Sequence, residues 1–118
     1  MVQDFLNLAF NDKRPAEAFA EHVGPDYVQR DPDAPDGAEA SARHLAGFVA
    51  RFPELSLDIK RVIAEDDLVV THCLMRLTPD SRGSAVADIM RVADGRTVEH
   101  WDVVPDLLEN PANGDTMF

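Results

Sequence analysis

Apolar residues recur along this chain with two different periods. In residues 2–11, Val2, Phe5, Leu6, Ala9 and Phe10 fall at helical spacing. Residues 15–23 repeat the pattern with Ala16, Phe19, Ala20 and Val23. Pro15 suits a first turn there, and Gly24-Pro25 reads as the stop. Residues 27–30 fit a short strand before a breaker-rich loop, Asp31-Pro32-Asp33-Ala34-Pro35-Asp36-Gly37. A third helix spans residues 39–52, with Leu45, Phe48, Val49 and Phe52 as its stripe and Pro53 at its end. The period then becomes two. Leu55, Leu57, Ile59 and Ile63 mark an alternating strand, broken by Arg61. Glu65-Asp66-Asp67 is a turn, and further strands cover residues 68–78, 85–92 and 96–104. Helices first and strands afterwards imply an α+β fold with the helices on one face of a curved antiparallel sheet.

The chain has 118 residues and a formal net charge of −11, and 45% of the residues are hydrophobic. That length suits one domain, residues 1–118, with a real core. The acidity argues against nucleic acid or an anionic membrane as partner, since both need basic patches. No run approaches the ~20 apolar residues of a bilayer span. No positively charged start precedes an apolar stretch, so no secretory signal is expected. The lone Cys73 reads as a small buried hydrophobe and fits a reducing cytoplasm.

Candidate chemistry concentrates in the last hairpin. A three-residue loop Ala93-Asp94-Gly95 with Gly95 left-handed pairs Val92 with Arg96. Asp88 then lies opposite His100, and Val86 opposite Asp102. Val86, Asp88 and Met90 share one face with Val98, His100 and Asp102. A two-residue loop instead puts Trp101 opposite Asp88, and both registers are open. Asp88 interrupts an apolar strand, where Asp is disfavoured. A buried carboxylate beside an imidazole can act as acid or base near neutrality; the bland alternative is a satisfied structural pair. His72 falls on the parity of Leu68, Val70 and Leu74. It joins Asp88 if that face lines a pocket, and is otherwise a core histidine. His72, His100 and Asp88 also make a two-His-one-carboxylate set, but no tight ligand motif is present and no metal is expected.

The segment from Asp88 to Val103 resembles the closing hairpin of SnoaL-like proteins of the NTF2-like superfamily, which includes polyketide cyclases, ketosteroid isomerases, limonene epoxide hydrolases and scytalone dehydratases. Tyr27-Val28-Gln29-Arg30-Asp31-Pro32 resembles the first strand and loop of that group, and Asn113–Phe118 the tail of a bacterial subgroup described as aldol-condensation enzymes. The resemblance implies an NTF2-like cone, a curved sheet wrapped by three N-terminal helices around an apolar pocket, and a homodimer through the sheet. It implies cofactor-free aldol or isomerisation chemistry on a small apolar or aromatic carbonyl substrate. Asp88 becomes the acid/base, with His100 or His72 as helper. Asp102, Trp101, Met90, Val86, Tyr27, Gln29, Phe48 and Phe52 become pocket-lining. Arg30-Asp31 stands where the subgroup commonly has His-Asn. The Asp-Arg-Asp set of the epoxide hydrolases fails on Arg91, whose parity differs from that of Asp88 and Asp102. A non-catalytic ligand-binding or dimerisation module remains the alternative.

Overall fold

The computed structural model describes residues 1–31 and 34–104. Residues 2–11 are helical, but the pitch changes. The helix α1 (Val2–Leu6) passes into a π-helical turn at Asn7–Asn11. The wider turn ends on Asn11, whose side chain donates to Leu57 O at 2.9 Å and accepts from Leu57 N–H at 2.8 Å. Lys13 Nζ adds a bond to Leu55 O at 2.7 Å. These contacts tie the first helix to a strand more than 40 residues on. The helix α2 (Pro15–His22) starts on Pro15, as its missing N–H allows. It stops differently from the sequence reading. Val23 turns extended and pairs with Thr97, so β1 (Val23–Gln29) begins at once. Gly24 and Pro25 lie inside β1, in its irregular stretch between Val23 and Val28, where Pro25 owes no ladder bond.

After the loop, α3 (Ala38–Arg51) precedes β2 (Ser56–Glu65), β3 (Leu68–Arg76), β4 (Ser84–Ala93) and β5 (Arg96–Val103). The sheet order is β1-β5-β4-β3-β2. The β2–β3, β3–β4 and β4–β5 pairs are antiparallel, but β1 runs parallel to β5. No hairpin constrains β1, since α3 separates it from the next strand.

Two bulges decide which side chains face the helices. In β2, Lys60 is the extra residue between Ile59↔Cys73 and Arg61↔His72. Leu57 and Ile59 therefore face inward, whereas Ile63, at the same spacing, points outward and is 60% exposed. In β5, Val98 is the extra residue between Val92↔Thr97 and Arg91↔Glu99. The inner face of the curved sheet carries Leu57, Cys73, Val86 and Met90. They pack with Val2, Phe5, Leu6 and Ala9 of the first helical segment, Phe19 of α2 and Tyr27 of β1. No described helix is long and apolar enough to cross a membrane.

Candidate active site

The β4–β5 turn is the shorter of the two loops the sequence leaves open. Ala93 pairs with Arg96 across Asp94-Gly95, both with positive φ (52° and 75°). This is the Asp-Gly type I′ pattern, whose twist matches that of the strands. Alone it would set Trp101 opposite Asp88. The Val98 bulge moves the register one step further, so Asp88 pairs with Asp102 and His100 with Met90. Asp88 and His100 are thus diagonal neighbours, not direct partners. From His100 onward the even-numbered residues of β5 share the inner face with those of β4, because turn and bulge together shift the pairing by two residues from the three-residue-loop register; before the bulge Thr97 faces inward, opposite Val92.

Asp88 and His100 meet on that face, His100 Nε2 lying 2.8 Å from Asp88 Oδ1. Both side chains are nearly buried. The register sets Gln29 of β1 beside His100, and Gln29 Oε1 is 2.7 Å from His100 Nδ1. Gln29 Nε2 donates to the Tyr27 hydroxyl at 3.1 Å. Burial, with the charges of Asp88 and Asp102 nearby, pushes the Tyr27 phenol well above its usual range and keeps it neutral. For His100, burial opposes the charge. The hydrogen bond to Asp88 and the charges of Asp88, Asp102 and Asp31 outweigh it, so its pKa is raised. Burial lifts Asp102 to about 6 against the pull of His100, with Asp31 and Asp88 adding to the rise. A hydrogen bond between the Asp102 and Asp31 side chains adds to that rise.

Val86 and Met90 flank Asp88 and are buried in the core. Phe48 and Phe52 are half-buried and pack edge to face on each other, 5.2 Å between centroids. Two expected residues lie elsewhere. His72 pairs with Arg61 and Ala87 on the outer face, where its Nδ1 contacts the Arg61 guanidinium. Its neighbours at period two are Leu68, Val70 and Leu74, as expected, but that face points away from the helices. The two-His-one-carboxylate set therefore does not form. Trp101 pairs with Ile89 on the same outer face, beneath the Arg91 guanidinium, and does not line the site.

Position 71, rather than His72, faces Asp88. Thr71 pairs with Asp88 and is fully buried. A threonine is ordinary in a strand, so no sequence signal marks it. Asp31 read as a loop acid and instead reaches Asp102.

Asp88, His100 and Asp102 each offer one donor atom within 4.8 Å of the others, the only spacing a cation could use among the described residues. Both ring nitrogens of His100 are already engaged, so an ion there must displace a proton. Two cavities lie away from Asp88. One of about 380 Å³ runs between α2 and α3, lined by Phe19, Ala42 and Ala46 among others. The other, of about 510 Å³, lies between the chain start and the β2–β3 turn, with Val2, Val69 and Asp67 in its wall.

Helices on one face of a curved sheet, with a carboxylate–imidazole pair on its inner side, define an α+β cone of the NTF2-like class. Within that class the chain belongs to the SnoaL-like family, whose domain model matches residues 2–100. A loop-truncation variant of IdmH is 30% identical, with 88% of this chain and 92% of that one covered and a TM-score of 0.71. Wild-type IdmH, a proposed polyketide cyclase from Streptomyces antibioticus, is 28% identical over 86% of this chain and 87% of that one, with a TM-score of 0.68. A proposed polyketide cyclase from Acidithiobacillus ferrooxidans shares the fold at a TM-score of 0.73 and 19% identity, over 87% and 84% of the two chains. Among curated proteins none matches significantly.

Proposed function

We propose that this protein is a small-molecule enzyme performing cofactor-free acid/base chemistry, of aldol-cyclisation or isomerisation type, on an apolar or aromatic carbonyl compound. The observation that carries this reading is the nearly buried Asp88–His100 contact of 2.8 Å on the inner face of the sheet. The polyketide-cyclase description of IdmH adds support. Asp88 takes a proton from the carbon next to a carbonyl. The C–H electron pair becomes the enolate double bond, and the carbonyl π pair moves onto oxygen. That oxygen needs a hydrogen-bond donor, and the Tyr27 phenol and the protonated form of Asp102 are candidates beside Asp88. In an aldol closure the enolate carbon attacks a second carbonyl of the same molecule, and the alkoxide recovers the proton from Asp88. Atoms balance without a further reactant.

The test is turnover of aromatic 1,3-diketones able to close by aldol addition, comparing wild type with Asp88→Asn. A loss of about 10²- to 10⁴-fold is expected for removal of a general base. An unchanged rate would remove Asp88, and this reading with it.

A second reading is a ligand-binding or dimerisation module without chemistry. One observation favours it: neither cavity described above is lined by Asp88 or His100. It predicts ligand affinity without turnover. An epoxide-hydrolase arrangement gains no support, because Arg91 lies on the outer face, bonded to Glu99 and Asp67. The reading further takes residues 1–118 as one domain working in the cytoplasm as a homodimer through the outer sheet face.

A further inference from the structure

Gln29 touches three groups, and one of them, the backbone N–H of Asp31, fixes how its amide is turned. In a glutamine side chain only Oε1 accepts and only Nε2 donates. The backbone N–H of Asp31 can only donate, and it meets Oε1 at 3.1 Å. On the other side, Nε2 meets the Tyr27 hydroxyl at 3.1 Å. The backbone is held as well: Gln29 N–H donates to Asp36 Oδ1 at 2.8 Å, and Arg30 N–H to His100 O at 2.8 Å. The oxygen so oriented is the atom 2.7 Å from His100 Nδ1. Two lone pairs cannot face each other at that distance, so Nδ1 carries a hydrogen.

We propose that Gln29 is a positioning residue that sets the tautomer of His100, holding Nδ1 protonated so that Nε2 is the ring nitrogen that shares a proton with Asp88. With Nδ1–H committed, an unprotonated Nε2 would present its lone pair to Asp88 Oδ1 at 2.8 Å. Below its midpoint the pair therefore exists as imidazolium with carboxylate, or as neutral ring with neutral acid. In the first form His100 has no site left for another proton. A proton taken from substrate by Asp88 then stays on Asp88, available for return to the product. This role rests on the acid/base reading of Asp88 and His100.

The test is the pair of ring ¹⁵N shifts of His100, followed through a pH titration of the full ¹⁵N-labelled chain. The titratable groups acting on the ring are Asp88 from β4, Asp102 from β5 and Asp31 from the loop after β1, with the Tyr27 phenol beyond Gln29. In wild type, Nδ1 should stay protonated at every pH at which the chain is folded. In Gln29→Leu the neutral ring should move to the Nε2–H form, and its midpoint should fall by about one pH unit, the worth of one lost hydrogen bond to the cation. Gln29→Glu keeps an acceptor at the same place, so it should retain the Nδ1–H form and raise the midpoint. A wild-type ring protonated at Nε2 alone overturns the proposal. So does a Gln29→Leu ring indistinguishable from wild type, or a Gln29→Glu midpoint that does not rise. A purely structural role would change the melting temperature and leave the tautomer alone. The spectra need no substrate, so they judge Gln29 independently of the Asp88→Asn rates.

Discussion

Asp102 is the residue whose ionisation is most out of step with its exposure, since a half-buried strand carboxyl is raised to about 6. The consequence for stability has a definite sign. Below its unfolded value of 3.8 the group is protonated in both states and contributes nothing. As pH rises through the window from about 4 to 6, the unfolded chain ionises first and stability is lost. Above that window the loss is complete. Asp102→Asn should therefore raise the melting temperature at pH 7 and leave it nearly unchanged at pH 4. Equal shifts at both pH values would refute the assignment. His100 works in the same direction: its raised pKa adds stability at low pH that fades as pH climbs through its folded value. Asp36, on the loop after β1, behaves oppositely. Backbone N–H bonds from Gln29 and Gly37 lower its pKa, so its contribution is present near neutrality and lost in acid.

At the scale of elements, the β3–β4 connection and the β4–β5 turn both depend on a glycine at positive φ, but the surroundings differ. A Cβ at Gly95 (φ 75°) meets nothing within 4 Å. Gly95→Ala should cost only the left-handed backbone penalty, about 1 kcal/mol. A Cβ at Gly83 (φ 92°) would stand 2.6 Å from Met75 O and 2.9 Å from Leu74 Cδ1. Gly83→Ala must displace backbone as well, and should cost about 3 kcal/mol or more. Urea melts of the two variants measure the gap, and equal losses would mean the Gly83 loop relaxes freely. Along the chain, the helices and all the strands follow the two apolar periods, with ends displaced by a few residues. The errors sit where a local rule met a distant partner. Gly24-Pro25 reads as a stop in any local window, and only the pairing of Val23 with Thr97 turns it into strand. Ile63 reads as inward from its spacing with Ile59, and only the extra Lys60 turns it out.

Taken whole, the molecule has a covered face and an open one. On the outer side of the sheet, Ile63, Val70, Ile89 and Trp101 follow one another in register across four strands. Ile63 is 60% and Val103 61% exposed. Beside this row runs an ion-pair chain in which Glu99 bonds both Arg30 and Arg91, and Arg91 bonds Asp67. An apolar row edged by paired charges suits a second copy of the chain. Sedimentation should show a dimer at micromolar concentration, and Ile63→Glu should shift it toward monomer while the melting transition is retained. A monomeric wild type would remove the dimer from the proposed function. Much of the net charge of −11 stays away from this face and from the site, on exposed turn residues such as Asp66, Asp80 and Asp94. Asp33, Asp106 and the resemblance carried by Asn113–Phe118 lie outside the described residues.

The sequence by itself determined the order of elements, the SnoaL-like resemblance and the sharing of one face by Asp88, His100 and Asp102. Periodicity along a strand is local, and a carboxylate in an apolar strand stands out without any partner. Tertiary structure decided which face the helices cover, and so sent His72 and Trp101 outward and turned Thr71 toward Asp88. It also decided the register, through a two-residue turn and a bulge at Val98 that no spacing of apolar residues encodes. Gln29 illustrates the limit. Its place beside His100 comes from a parallel pairing across 71 residues of chain, which only the assembled sheet brings about.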